Sequence, residues 1–361
     1  MAIRQYNDAG TYSTTLSAQP TANRTITIPD ASGSFAMGES IGRRNYLING
    51  NFDKWDYATS QTATAYGSDN RWFNGNLGST KTHSQVACGD TERALFNAAY
   101  FSRTVVSSVA GAGNYVVKDQ KIENVNLLAG KTVTLSFWAK ADANKNIAIE
   151  FSQVFGTGGS PSATVFGISS QLVALTTTWQ KKTITVTLPS IVGKTIGTDG
   201  VQTTHTDFFF WFDAGSNWNS RTANLGQQSG TFDIAQVKIE DGSVATAGWY
   251  PYDGEFGGEV EACARYYEIV NMMLATNTNA WYIASGSYTY KSPKRVVPSA
   301  TIYTDGGIAG NMAEYDISAT FVANRAARFA NSDVNGGAVS GAGTLTTGNF
   351  VKFYIIASAE L

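Results

Sequence analysis

Chemistry needs groups that move protons, attack electrophiles or hold metal ions, and the most versatile of these are scarce here. The chain has two histidines, His83 and His205, on different polar stretches. Neither falls at metal-ligand spacing and no Ser-His-Asp motif supports a nucleophile, so both read as surface histidines. Cys88 and Cys263 stand alone, which excludes a disulfide framework and favours two buried free thiols over one bridge. Asp and Glu together number 28, and a glycosidase needs two of them about 5–9.5 Å apart across a sugar bond. Asp213, Asp233, Glu240 and Asp241 fall at strand positions or strand ends, but nothing in their spacing makes them converge. They read as solvated carboxylates. Gly111-Ala112-Gly113, Gly156 to Gly159 and Gly336-Gly337 lie between strand patterns and read as turns, not phosphate loops. The residues therefore point to a protein that is not an enzyme and carries no metal and no cofactor.

Aromatic surface is abundant instead, with 8 Trp, 17 Tyr and 19 Phe. Rings stack on the apolar faces of sugars while Asn, Gln and Asp bond the hydroxyls. Trp218 with Asn217 and Asn219 has that composition in a loop setting. Trp281, Tyr282, Tyr288 and Tyr290 have it near strand ends. These five are the glycan-binding candidates, against a competing role for each ring in the core or at a subunit interface.

The chain has 361 residues and a net charge of −2, with no basic block beyond Arg43-Arg44. A nucleic-acid partner leaves a clustered Lys/Arg footprint, so none is expected. No apolar run approaches a membrane span and Met1 to Gly10 lacks a signal-peptide core, so membrane insertion and ordinary export are not expected.

The elements that must position any site are strands. Lys131 to Lys140 alternates, with Val133, Leu135, Phe137 and Ala139 on one face and Thr132, Thr134, Ser136 and Lys140 on the other. Trp138 falls on the polar side, so that face is either covered or carries a surface platform. Further strands are read at Tyr115 to Ile122, Ile147 to Phe155, Ala163 to Ile168, Leu172 to Leu175, Trp179 to Leu188, Phe208 to Phe212 and Phe232 to Glu240. Lys81 to Thr104 is irregular. Phe208 to Phe212 has no polar phase and should be covered on both faces. Phe232 and Ile234 share a phase that Val237 and Ile239 do not continue, which predicts a β-bulge at Ala235-Gln236. Many short strands separated by Gly, Asn and Pro indicate a β-sandwich.

Val260, Cys263, Tyr267, Val270 and Leu274 are spaced three, four, three and four, which predicts a helix from Glu259 to about Leu274. So narrow a stripe packs on its own domain or forms a subunit contact. Beyond it, strands are read at Ala280 to Tyr290, Val296 to Tyr303, Ala319 to Ala323 and Phe350 to Ala357. The last is apolar on both phases and should be central or at an interface. Pro298 restricts its strand to an edge or a bulge. The fold class is mainly β: an extended N-terminal arm (1–42), a β-sandwich (43–255), then one linking helix and a small C-terminal β-sandwich (256–361).

Several stretches carry a resemblance. Asn45-Tyr46-Leu47-Ile48-Asn49-Gly50-Asn51-Phe52-Asp53-Lys54-Trp55, a strand and turn returning two aromatics to the core, is similar to the opening of virion jelly rolls and carbohydrate-binding modules. Asp69-Asn70-Arg71-Trp72-Phe73, Leu128 to Lys131 with Leu135 to Lys140, and Phe232 to Gly242 resemble later landmarks of the same jelly rolls, in the right order. Thr25 to Ala36 resembles a motif of phage tail fibres, and is otherwise a small hairpin. Cys263-Ala264-Arg265-Tyr266-Tyr267 and, more loosely, Ser292 to Tyr303 resemble their distal parts.

The resemblance implies a bacteriophage tail-fibre or related virion protein with a carbohydrate-binding-module-like jelly roll. Its implied setting is the virion, after synthesis in the host cytoplasm. It implies a homotrimer, other virion proteins held through the N-terminal arm, and host cell-surface glycan at the distal tip. Related folds serve head or neck decoration proteins and, with a long β-helix that this chain lacks, polysaccharide-degrading tailspikes. Such jelly rolls often hold a structural calcium, and Asp53 matches one acidic position. Ala235 and Gln236 stand where the other acids are expected, which speaks against the ion.

Overall fold

The computed structural model describes residues 3–6, 13–16, 45–96, 98–200, 203–246, 249, 256–275, 282–342, 345–346 and 348–361. They belong to two compact units, Met1–Ile41 and Gly42–Leu361. In the first, β1 (Ile3–Tyr6) and β2 (Ser13–Leu16) pair antiparallel with Ile3 opposite Leu16, a hairpin within the segment read as an arm. The Thr25 to Ala36 motif lies outside the described residues.

The second unit opens with a two-sheet jelly roll. Its strands are β3 (Ser60–Gln61), β4 (Phe73–Leu77), β5 (Thr80–Ala87), β6 (Tyr100–Ser107), β7 (Tyr115–Ile122), β8 (Thr132–Ala141), β9 (Lys145–Phe155), β10 (Val165–Leu175), β11 (Gln180–Thr187), β12 (Thr204–Ala214) and β13 (Gly230–Asp241). One sheet runs β10-β9-β12-β7-β4 and the other β11-β8-β13-β6-β5-β3. The alternation read for β8 holds, with Val133, Leu135, Phe137 and Ala139 fully buried between the sheets. They meet Ile147, Ile149 and Phe151 of β9 and Phe208, Phe210 and Phe212 of β12 in one core.

The bulge on β13 is where the phase shift predicts it. Pairing with β8 slips between Ala235 and Lys238, and Gln236 takes a left-handed φ of 48°. Phe232, Ile234, Val237 and Ile239 therefore all reach the core. The opening motif is not the expected strand but a run of turns clamped onto this bulge. Asn45 Nδ2 donates to the Val237 carbonyl at 3.0 Å, and Asn45 Oδ1 accepts from the Ile239 amide at 3.0 Å. Gly50 passes so close that a Cβ would lie 2.1 Å from the Val237 carbonyl oxygen. Phe52 returns to the core as expected, while Trp55 is only partly buried.

Lys81 to Thr104 is more regular than its sequence: it holds β5, helix α1 (Asp90–Leu95) and the start of β6. The outer face of β8 is covered by this segment. Trp138 packs at 5.7 Å from Phe96, in a satellite cluster with Cys88, Phe101 and Trp179. A short helix, α2 (Val125–Leu128), closes one end of the sandwich, and α3 (Asn219–Thr222) lies over β10, β9 and β12.

The helix read from Glu259 to Leu274 is corrected. Helix α4 spans Phe256–Ala264, and the chain then enters strand β14 (Tyr267–Ala275). Val270, Met272 and Leu274 alternate into the C-terminal core, so a period of two carries the second half of the stripe. β-Branched Ile269 and Val270 suit a strand better than a helix.

The remaining strands are β15 (Tyr282–Thr289), β16 (Ser299–Thr304), β17 (Asn311–Tyr315), β18 (Phe321–Ser332), β19 (Gly336–Ala342) and β20 (Phe350–Ser358). They form one sheet, β14-β20-β17-β18-β19-β15, with β16 also paired to β20. Its ends approach each other, since a Cβ on Gly286 of β15 would lie 2.6 Å from Leu274 of β14. β20 is central, as its two apolar phases require, and β16 starts just after Pro298.

The jelly roll and the C-terminal sheet are locked together. Arg71, fully buried, pairs with Glu360, donates to the Lys121 carbonyl at 2.8 Å and lies 3.4 Å over the Tyr266 ring. Tyr57 stacks on Tyr267 at 3.6 Å, and Glu259 Oε1 accepts the Asn49 amide at 2.7 Å. Cys263 and Tyr267 are thus buried inside the chain, and Val270 and Leu274 pack on its C-terminal core. Of the five subunit-interface candidates only Val260 is exposed. Both cysteines are buried and free.

Candidate functional site

The outer face of the five-stranded sheet departs most from what a solvated sheet face should be. Its residues follow from β12, where Phe208, Phe210 and Phe212 take the inner phase and leave His205, Asp207, Phe209 and Trp211 outside. Register then builds one rung across four strands. Phe73 of β4 sits opposite Asp119 of β7, Asp119 opposite Phe209, and Phe209 opposite Glu150 of β9. Ring and carboxylate alternate along it. Phe166, 52% exposed, stands beside the end of this rung on β10, between the Val165–Gln153 and Ile168–Phe151 pairs. Five strands at about 4.8 Å spacing give a face about 19 Å across.

Arg221, carried over this face by α3, organises its β10 side. Its Nε donates to Glu150 Oε1 at 2.8 Å, and its guanidinium lies 4.2 Å from the Phe166 ring centroid and 5.1 Å from that of Phe209. Glu150 also accepts from Trp211 Nε1 at 3.0 Å and from the Gly167 amide at 2.8 Å, so its charge is matched although it is fully buried. At the other edge Tyr66 packs edge-on against Phe73 at 5.3 Å.

Two carboxylates occupy the centre. Asp119 and Asp207 lie diagonally on neighbouring strands, each more than nine-tenths buried. Ser152 Oγ donates to Asp207 Oδ2 at 3.0 Å, and His205 Nε2 stands 3.4 Å from Oδ1. Burial, and then the neighbouring Asp207, push the Asp119 carboxyl well above the usual carboxylate range. A protonated carboxyl beside an acceptor offers both halves of a hydrogen bond to a hydroxyl.

The sequence candidates are dispersed. Trp218 borders this face but is used structurally: its Nε1 donates to the Gly113 carbonyl at 3.0 Å and its ring meets Tyr115 edge-on at 5.1 Å. Tyr288 and Tyr290 are buried in the C-terminal core, so their ring faces are not the stacking platforms expected of them. Trp281 and the side chain of Tyr282 lie outside the described residues. Phe73, Phe166, Phe209, Asp119 and Asp207 were not singled out; the signal was the outer phase of the Phe208 to Phe212 run. Asp213 is corrected from solvated to buried, accepting from Ser79 Oγ at 2.6 Å and Ser108 Oγ at 2.9 Å. Asp233 and Glu240 are likewise buried and paired, with Arg103 at 2.7 Å and Lys238 at 3.0 Å.

Both histidines are corrected as well. His83 is fully buried, with Nε2 3.1 Å from Asp69 and 3.0 Å from Lys118, and His205 is 9% exposed. Among the described residues no group of three or more His, Cys, Asp or Glu is arranged to hold a metal. Asp53 accepts from Asn51 Nδ2 at 2.8 Å. No helix among the described residues is long and apolar enough to cross a membrane.

No protein-family model matches the chain, and no curated protein matches it. Among solved structures it is similar to a CBM4 protein, at 19% identity over 54% of this chain and 98% of that one, with a TM-score of 0.29. It is also similar to a family 11 carbohydrate-binding module from Clostridium thermocellum in complex with a mixed-linked tetrasaccharide, at 10% identity, 52% and 98% coverage, and a TM-score of 0.32. A third is the enzymatically active domain of tailspike protein 4 from bacteriophage CBA120. There the identity is 14%, the coverage 54% of this chain and 21% of that chain, and the TM-score 0.29.

Proposed function

We propose that this chain is a non-enzymatic bacteriophage virion protein, a homotrimeric tail fibre, that holds a host-surface glycan on the outer face of its five-stranded sheet. The observation that carries the binding is the rung on which rings and carboxylates alternate, Phe73-Asp119-Phe209-Glu150, with exposed Phe166 beside its end under the same Arg221. Rings accept the apolar faces of sugar units while Asp119 and Asp207 bond their hydroxyls. The virion assignment rests on the motifs at Asn45 to Trp55, Leu128 to Lys140 and Phe232 to Gly242.

Titration of the full chain with oligosaccharides from the host envelope tests the binding. Phe166→Ala with Phe209→Ala is expected to weaken affinity at least tenfold, about 1.4 kcal/mol. Unchanged affinity removes the face from consideration. Light scattering is expected to give three copies per particle in solution, and a monomer at micromolar concentration rejects the fibre. Immunogold label on the capsid shell or the neck would instead favour a decoration protein.

One observation favours a hydrolytic reading. A general acid needs a carboxyl held protonated beside an ionised partner, and Asp119 is pushed in that direction. Shortening of host capsule or lipopolysaccharide by the purified chain, lost in Asp119→Asn, would establish it. Intact polysaccharide leaves the binding reading.

A further inference from the structure

Arg221 carries more donors than the sheet uses. Its Nε is taken by Glu150, but among the described residues neither Nη has a hydrogen-bond partner. Neither Nη is sealed from solvent, and the side chain as a whole is 16% exposed. The group is nonetheless held in place. Besides Phe166 and Phe209, the rings of Trp211 and Trp218 stand 5.0 and 5.5 Å from the guanidinium. Glu150, fixed by Trp211 Nε1 and the Gly167 amide, anchors it from the sheet side. The backbone of β10 is shaped to the same end. Its register against β9 slips on both sides of Ile168, and Gly167 has a φ of 71°. A Cβ on Gly167 would lie 3.2 Å from the Ser220 carbonyl oxygen, so β10 passes close under α3 just where Arg221 begins.

A guanidinium donates and never accepts, and its Nη1–Nη2 edge offers two parallel N–H bonds. The two oxygens of a carboxylate match that edge, whereas one sugar hydroxyl meets half of it. The charges on the face leave room for an anion. Glu150 already accepts three donors, and Asp207 is met by Ser152 and His205. Lys121 sits opposite Asp207 in register. Burial, then Asp207, favour the protonated form of Asp119, which adds no negative charge. Glu150 and Asp207 are then balanced by Arg221 and Lys121.

We propose that the glycan held on the sheet face is acidic, with a carboxylate-bearing sugar unit lying against Phe166 and its carboxylate seated on the two Nη groups of Arg221. The proposal rests on the sheet-face reading and adds the charge of the ligand to it. D-Galacturonate, D-glucuronate and N-acetylneuraminate are titrated into the full chain, each beside its neutral methyl ester, with Kd read by NMR. At least one acid is expected to bind tenfold or more tighter than its own ester, about 1.4 kcal/mol. Arg221→Lys keeps the charge and loses the fork, and should shrink that ratio to roughly twofold while ester binding persists. Acid and ester are compared within one variant, so a general loss of fold does not imitate the result.

Equal binding of every acid and its ester overturns the proposal. If Phe166→Ala with Phe209→Ala then abolishes both, the sheet-face reading stands alone. An acid preference that survives Arg221→Lys overturns it, as does binding of glucose 6-phosphate with none of the acids. Loss of ester binding together with acid binding in Arg221→Lys would mean that the guanidinium only props the rings, and overturns it too. Silence from all six ligands ends the acidic assignment, while the envelope oligosaccharides still judge the face.

Discussion

Asp69 holds a cation and an imidazole inside the sandwich, taking Lys118 Nζ at 2.5 Å and His83 Nε2 at 3.1 Å. Burial alone would raise the Asp69 carboxyl, but Lys118 and then His83 outweigh it and hold it low. Burial, and then the charge on Lys118, depress His83 to about 4. The sign follows from proton counting. Between pH 6.5 and about 4 the unfolded chain carries a proton on this imidazole that the folded chain lacks. Its contribution to stability is complete above 6.5 and is lost as pH falls to about 4, at about 1.4 kcal/mol per pH unit. His83→Gln should flatten the acid limb of a plot of urea midpoint against pH in that window; an unchanged limb would show that the imidazole is not the responsible group. Asp119 behaves oppositely. Its raised carboxyl favours folding below pH 3.8 and loses that advantage as pH rises. Asp119→Asn should therefore raise Tm at pH 8 more than at pH 4, and equal shifts would show that the folded carboxyl is ionised throughout. Neither cluster was legible in the sequence, because Lys81, His83, Lys118 and Gln120 are polar residues on inward phases. A pattern reader assigns such positions to the surface.

Among the elements, legibility tracked apolar alternation. β7 has the ends its pattern gives, Tyr115 and Ile122, and the bulge at Gln236 follows from a phase slip alone. β17 and β19 were missed because Asn311–Tyr315 is short and Gly336–Ala342 is built of Gly, Ala, Val and Ser. The α4–β14 junction was misread because Val270 and Leu274 satisfy both periods, and only Met272 separates them. For the site, the outer phase of β12 was present in the sequence, but its partners depend on cross-strand register that no single segment carries. The bulge also makes a sharp demand on its neighbour. Gly50→Ala should cost roughly 3 kcal/mol, since backbone must move away from Val237. A urea melt reads it; an unaltered midpoint would mean that the opening turns yield freely.

At the scale of the molecule, the most deeply buried cation between the jelly roll and the C-terminal sheet is Arg71, with Arg295 bridging to Glu123 at 3.4 Å beside it. Arg71→Leu leaves Glu360 without its partner in the interior, a loss of roughly 3–5 kcal/mol. Calorimetry of the wild-type chain should show the jelly roll and C-terminal sheet unfolding together, and the variant should separate them into two transitions. A single transition in the variant would show that the Tyr57–Tyr267 stack and the Glu259 contact suffice. The same pairing has a consequence for synthesis. Arg71 and Glu360 are 289 residues apart, so at about 5–20 residues per second the guanidinium waits roughly 15–60 s for its partner. The last jelly-roll strand, ending at Asp241, is made a little past the middle of that interval, while the lock closes only once Glu360 has been made. Nascent chains stalled before Glu360 should stay open to a protease that the released chain resists. Translation interrupted before Glu360 would thus yield a folded sandwich without its buried join to the C-terminal sheet.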